Sequence, residues 1–309
     1  MMKMPVKEVE RVLIPLDGTA DSETILEYFP GLLAHPDSEA LILQAFPFLS
    51  TLIELPAQMA PGSPPENSAG AESARSVASV VELLKSRGIH ARGLSHLGSS
   101  AKVILETAEK EGVSMIALST HGRSGLSHLI FGSVTEDVLE RCDVPFFVVH
   151  STGSGIRKGP KRMVQPGGWL QKILVPVTRN PVSMEILPLA IHLARRSGAR
   201  IQLIHVTESK REAPAVEELL NRASSQCTEK LVPVERLVRT GPPAEEILKA
   251  AREEQVDLIA MTTQAALKGN HGLIGSVATS VLRAAAVPML LIRGLPVNAA
   301  GAPPVEATL

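Results

Sequence analysis

Short apolar runs alternate with helical stretches along most of the chain. Runs stand at Val12–Leu16, Ala40–Phe46, Met115–Leu118 and Pro145–Val149, with a weaker one near Ala91–His96. Apolar runs of this length, bounded by turn residues, predict strands rather than helices. Between them, apolar positions recur at helical spacing over Ser73–Arg87 and Ala101–Glu111. The alternation returns at Ile173–Val177, Ile201–Val206, Val234–Val238, Leu258–Met261 and Pro288–Ile292. Strands buried on both faces and joined by helices predict an α/β fold, a parallel sheet wound on both sides.

The recurrence is an internal repeat. Val12-Leu13-Ile14-Pro15-Leu16-Asp17 is matched by Ile173-Leu174-Val175-Pro176-Val177-Thr178, 161 positions on. Gly98, Gly132-Ser133-Val134 and Val144-Pro145 are matched 143 positions on by Gly241, Gly275-Ser276-Val277 and Val287-Pro288. The first copy therefore holds extra residues between Pro15 and Gly98, and the Pro- and Gly-rich stretch Pro56–Gly70 is their natural place, as a surface loop. Two domains follow, over residues 9–150 and 169–293, with a linker at 151–168 and a Pro- and Ala-rich tail at 294–309.

Composition narrows the partners. A net charge of −1 supplies no field toward nucleic acid or an anionic membrane. One Trp, one Tyr and an aromatic content of 3% leave little to stack on bases. Two separated cysteines, Cys142 and Cys227, fit a reducing compartment, and no apolar stretch approaches the length of a spanning helix or a signal sequence. The expectation is a cytoplasmic protein without membrane or nucleic-acid partners.

Candidate chemistry gathers at strand ends, where open parallel sheets bind ligands. Asp17-Gly18-Thr19 follows the first strand, and Ser119-Thr120-His121-Gly122 follows the fourth. Nine residues after Gly122 comes Gly132-Ser133-Val134-Thr135, opening a helix. Glycines admit backbone N–H groups to a phosphate, hydroxyls at a helix N-terminus add donors, and Arg123 adds a cation. Two plainer readings stand beside this one. Ser133-Val134-Thr135-Glu136 fits a capping box, and Asp17 suits a turn that closes a strand. The P-loop pattern GxxxxGK(S/T), a GxSxG elbow, HxxxH spacing and Cys/His clusters are all absent from the sequence.

Pro15-x-Asp17, Ser119 to Leu126, Gly132-Ser133-Val134 and Val144-Pro145-x-x-Val148-Val149 together resemble the universal stress protein family, and the resemblance covers both copies. It implies two tandem domains, each a five-stranded parallel sheet with helices on both faces, of the Rossmann-like, adenine nucleotide alpha hydrolase-like kind. ATP-binding members carry Gly-x2-Gly-x9-Gly-Ser/Thr; here the spacing is kept with Ser119 in the first place. The resemblance implies that Pro15, Asp17 and Ala45 border adenine and ribose, and that Ser119, Gly122 and Arg123 line ribose and phosphates. Gly132, Ser133, Val134 and Thr135 hold the phosphate end, with Mg or Mn carried on the phosphates of ATP. It also implies pairing of the two domains through their last strands, and it allows a homodimer and protein partners.

The second copy departs from this pattern. Thr178 replaces Asp17, Ala265 replaces Gly122 and Ala266 replaces Arg123, leaving Gly275-Ser276. The expectation is an ATP-binding regulatory protein whose site lies in the first copy. The alternatives are an interaction module without nucleotide and, third, a slow ATPase using Asp17 or His121 as base.

Overall fold

The computed structural model describes residues 11–29, 38–46, 69–121, 133–151, 168–207, 213–263 and 275–294. The chain divides into two compact units, Val9–Gly159 and a second that holds Pro160–Leu309. In the first unit the elements run β1 (Arg11–Leu16), α1 (Ala20–Glu23) with a 3-10 turn over Thr24–Tyr28, β2 (Glu39–Phe46), α2 (Ala69–Ser86) and β3 (His90–Leu97). They continue with α3 (Ser100–Lys110), β4 (Met115–His121), α4 (Ser133–Arg141) and β5 (Phe146–Ser151). The strands lie in the order β3-β2-β1-β4-β5, all parallel.

The second unit repeats the plan. It runs β6 (Lys172–Pro176), a 3-10 turn over Pro181–Met184, α5 (Leu187–Ser197), β7 (Arg200–Thr207), α6 (Ala213–Thr228) and β8 (Val234–Thr240). Then come α7 (Pro243–Glu253), β9 (Leu258–Thr263), α8 (Ser276–Ala284) and β10 (Met289–Arg293), in the parallel order β8-β7-β6-β9-β10.

The continuous apolar runs are explained by burial on both faces. Val12, Leu13 and Ile14 of β1 and Leu41 and Ile42 of β2 are fully buried, as are Ile173, Leu174 and Val175 of β6. The weak pattern of β3 has a local cause. A Cβ on Gly93 would stand 2.4 Å from Val77 Cγ1, so α2 crosses this strand where the side chain is missing. Of the expected insertion loop, Ala69 and Gly70 belong to α2, and the rest lies outside the described residues.

One expectation needs correcting. Ser119, Thr120 and His121 do not follow the fourth strand; they are its last three residues, in register with Val149, His150 and Ser151. The apolar run stops at Leu118, but the ladder with β5 continues to His121, and Thr120, 2% exposed, adds a hydroxyl bond to Val149 O at 3.4 Å. Thr263 Oγ1 donates to Ile292 O in the same way at 3.2 Å, 143 positions on.

Charges at the other end of the strands show how the copies diverged. Arg11 pairs with Glu39 at 2.8 Å, and Arg92 with Glu111 at 2.6 Å and Glu39 at 3.3 Å. The matching positions are Lys172, Arg200, Glu235 and Glu254, and Arg200 meets Glu235 at 3.3 Å. Glu39 and Arg92 have exchanged sign as a pair, which preserves the attraction across the two outer strands.

Two turns of the second copy carry strain that the first avoids. Leu231 (φ 59) and Gln255 (φ 51) are left-handed where the first copy has Gly88 (φ 77) and Gly112 (φ 58). Leu231 is 92% exposed and loses no packing on truncation. Leu231→Gly is expected to stabilise the second unit by about 0.5–1 kcal/mol, read as a higher denaturation midpoint.

Cys142 and Cys227 are both buried. Burial pushes the Cys142 thiol up, and that of Cys227 up to about 11 from 9.0. A raised folded value means the contribution is whole below the unfolded value and fades as pH rises through the folded one. Stability is expected to fall between pH 9 and about 11, and a Cys227→Ala variant should show a shallower fall in pH-dependent denaturation.

Candidate functional site

In the first unit the winding reverses at β1, with β2 on one side and β4 on the other. Ligands of open parallel sheets bind beyond the carboxyl ends of the strands at this point. The Asp17-Gly18-Thr19 turn and the Ser119–His121 end of β4 lie at this point.

Asp17 has a defined local task. Its Oδ1 accepts from Thr19 N at 2.9 Å and Thr19 Oγ1 at 2.6 Å, and its own N–H donates to Ser22 Oγ at 3.3 Å. Thr19 caps α1 by accepting from Ser22 N at 3.2 Å. Gly18 turns the chain with φ 80. The second copy builds the same turn from other residues. Thr178 N donates to Ser183 Oγ at 2.8 Å, Asn180 N to Thr178 Oγ1 at 3.3 Å, and Val182 N to Asn180 Oδ1 at 3.1 Å. The turn thus needs an oxygen at this place, and a carboxylate is not required. The negative charge of exposed Asp17 is an addition of the first copy.

Alternation sorts the other residues onto two faces. Leu16, Gln44 and Ser95 are in register and share the face covered by α2, where Ser73 and Ser95 hydroxyls meet at 2.6 Å. Ser119 belongs to this face, four residues on from Met115, which is in register with Val12. Pro15 and Ala45, both half-buried, lie on the opposite face. The Ser119 side chain therefore points away from Pro15 and Ala45, and a hydroxymethyl there does not fill the space those two border. Its Oγ, like Gln44 Oε1, is shielded from solvent and has no hydrogen-bond partner among the described residues.

At the start of α4, Val134 is half-buried and Thr135 is 8% exposed, on the inward stripe with Val138 and Leu139. Ala278 takes the place of Thr135 in the second copy and is equally buried, so the fold does not demand the hydroxyl. Gly122, Arg123, Gly132 and the side chains of His121 and Ser133 lie outside the described residues.

Sequence reasoning missed one pair. Thr120 Oγ1 and His150 Nδ1 stand 2.7 Å apart at the ends of β4 and β5, on the face of Pro15 and Ala45. The only sequence signal was the threonine kept at the same place in both copies, Thr120 and Thr263.

The second unit carries different residues at the matching strand ends. His205 stands where Gln44 does, and its Nδ1 is 2.9 Å from Val177 O. Gly294 lies so close to Val182 and Thr262 that an added Cβ would stand 2.1 Å and 2.8 Å from their methyl carbons. No helix among the described residues is long and apolar enough to cross a membrane.

Comparison with known proteins agrees with this architecture. The model of the universal stress protein family matches residues 8–150 and again 170–293. A universal stress protein of Mycobacterium tuberculosis is 27% identical over 192 residues, covering 58% of this chain and 61% of that protein, so the chain spans less than two thirds of that relative. One from Bacillus subtilis is 28% identical over 148 residues, 40% of this chain and 98% of that protein. Among solved structures, a universal stress protein from Archaeoglobus fulgidus superposes with a TM-score of 0.72 at 19% identity, over 93% of this chain and 99% of that one. The chain is a tandem member of the universal stress protein family.

Proposed function

We propose that the first unit binds an adenine nucleotide, ATP with a divalent metal on its phosphates, and that occupancy regulates a stress-response protein working in the cytoplasm. The observation that carries this reading is the meeting, at the point where the sheet reverses, of a turn bearing the Asp17 carboxylate with the end of β4. Pro15, Asp17 and Ala45 border the adenine and ribose; Ser119 with Gly122 and Arg123 lines the ribose and phosphates. Gly132, Ser133, Val134 and Thr135 present the N-terminus of α4 to the phosphates, where free N–H groups and the helix dipole favour negative charge. The second unit, with Thr178, Ala265 and Ala266 in place of Asp17, Gly122 and Arg123, serves the architecture.

One observation favours a second reading, an interaction module without nucleotide: Asp17 and Thr178 make the same turn bonds, so the acid has a structural use. Denaturing the purified protein and identifying what is released separates the two. Adenine nucleotide in the extract, or binding of added Mg-ATP, supports the first reading; neither supports the second.

A further inference from the structure

We propose that His150, held in place by Thr120, is a further binding residue for the phosphates of the nucleotide in the first unit; this rests on the reading of the site given above. Phe147 meets the ring of Tyr28 at 6.0 Å between centroids, so the segment after α1 covers the Phe147 side of β5. Phe146, Val148 and His150 project from the other side, in register with Ile116, Leu118 and Thr120. Right-handed crossovers place α3 and α4, which pack together, on that second side. Because α4 links the end of β4 to the start of β5, its N-terminus lies at the strand ends that carry Thr120 and His150. The imidazole therefore occupies the same edge and the same side of the sheet as the helix terminus assigned to the phosphates.

Thr263 Oγ1 donates to Ile292 O, and Thr120 Oγ1 makes the matching bond to Val149 O. When that proton goes to the carbonyl, Thr120 Oγ1 accepts from His150 and Nδ1 carries the hydrogen of the 2.7 Å contact. A neutral ring then has Nε2 as an acceptor, whereas a phosphate oxygen only accepts. Contact with a phosphate oxygen therefore calls for a hydrogen on Nε2 as well, which the imidazolium form supplies in a charge-assisted hydrogen bond. The charged groups of α4 on this side of the unit are Glu136, Asp137, Glu140 and Arg141; Asp137 and Arg141 pair with each other at 2.6 Å. The second copy carries Arg293 in the place of His150, in register with Thr263, so the position accepts a permanent cation.

The test uses the full chain and compares ATP with adenosine by calorimetric titration. His150→Ala is expected to weaken ATP about tenfold or more while leaving adenosine unchanged, and His150→Arg to restore ATP binding. Circular dichroism and melting of both variants establish that they fold. Equal weakening of ATP and adenosine, or an unchanged ATP affinity in folded His150→Ala, overturns the assignment to the phosphates. If the unsubstituted chain binds neither ligand, the reading of the site itself fails, and that result is distinct from a failure of His150 alone.

Discussion

Asp17→Thr is expected to lower the affinity for Mg-ATP about 10- to 100-fold and to leave the melting temperature unchanged. Threonine is the residue that the second copy uses at this place, and Thr178 accepts from Asn180 N in a turn otherwise like that of Asp17 and Thr19. The substitution thus keeps the oxygen that closes the turn and removes the carboxylate. A charged hydrogen bond to a ligand contributes about 1.5–3 kcal/mol, which sets the expected range. Isothermal titration and thermal melting of the same preparation read both quantities. A large loss of stability with no change in affinity would assign Asp17 to the turn alone.

Gly294→Ala is expected to destabilise the second unit by about 2 kcal/mol. The added methyl would sit 2.1 Å from Val182 Cγ1 and 3.0 Å from Thr263 O, and the latter is backbone that cannot rotate aside. Gly294 N also donates to Thr263 O at 2.8 Å, which fixes the approach. The first copy carries Ser151 at this place and Asp21 at that of Val182, so the valine is a part of the crowding that the second copy alone has. In a Val182→Ala background the same change should therefore cost less, and a double-mutant cycle measured by chemical denaturation reads the coupling. Additive effects would place the strain elsewhere.

The fold was legible because its signal lies in the interior. Strands such as Val12–Leu16 and Ile173–Val177 are apolar on both faces, and the repeat shows the pattern twice. What escaped the reading was polar. Thr120 and His121 continue β4 beyond Leu118, with a side-chain hydrogen bond that no apolar pattern records. His90–Leu97 was faint because α2 lies on Gly93 and the outer positions are exposed. At the site, Asp17 could be found from its place after β1, but its two uses could not be separated until Thr178 showed the turn made without a charge. The Thr120–His150 pair joins residues 30 positions apart, each unremarkable alone, and only the sheet register brings them together.

Stoichiometry of nucleotide binding tests the central claim most directly. Titration of the full chain, freed of bound nucleotide, with Mg-ATP should give one equivalent per chain, because the second unit has Thr178, Ala265 and Ala266 where the first has Asp17, Gly122 and Arg123. Asp17→Thr should weaken that single event, and Thr178→Ala should leave it intact. No binding, two equivalents, or an event sensitive to Thr178 and indifferent to Asp17 would contradict the account.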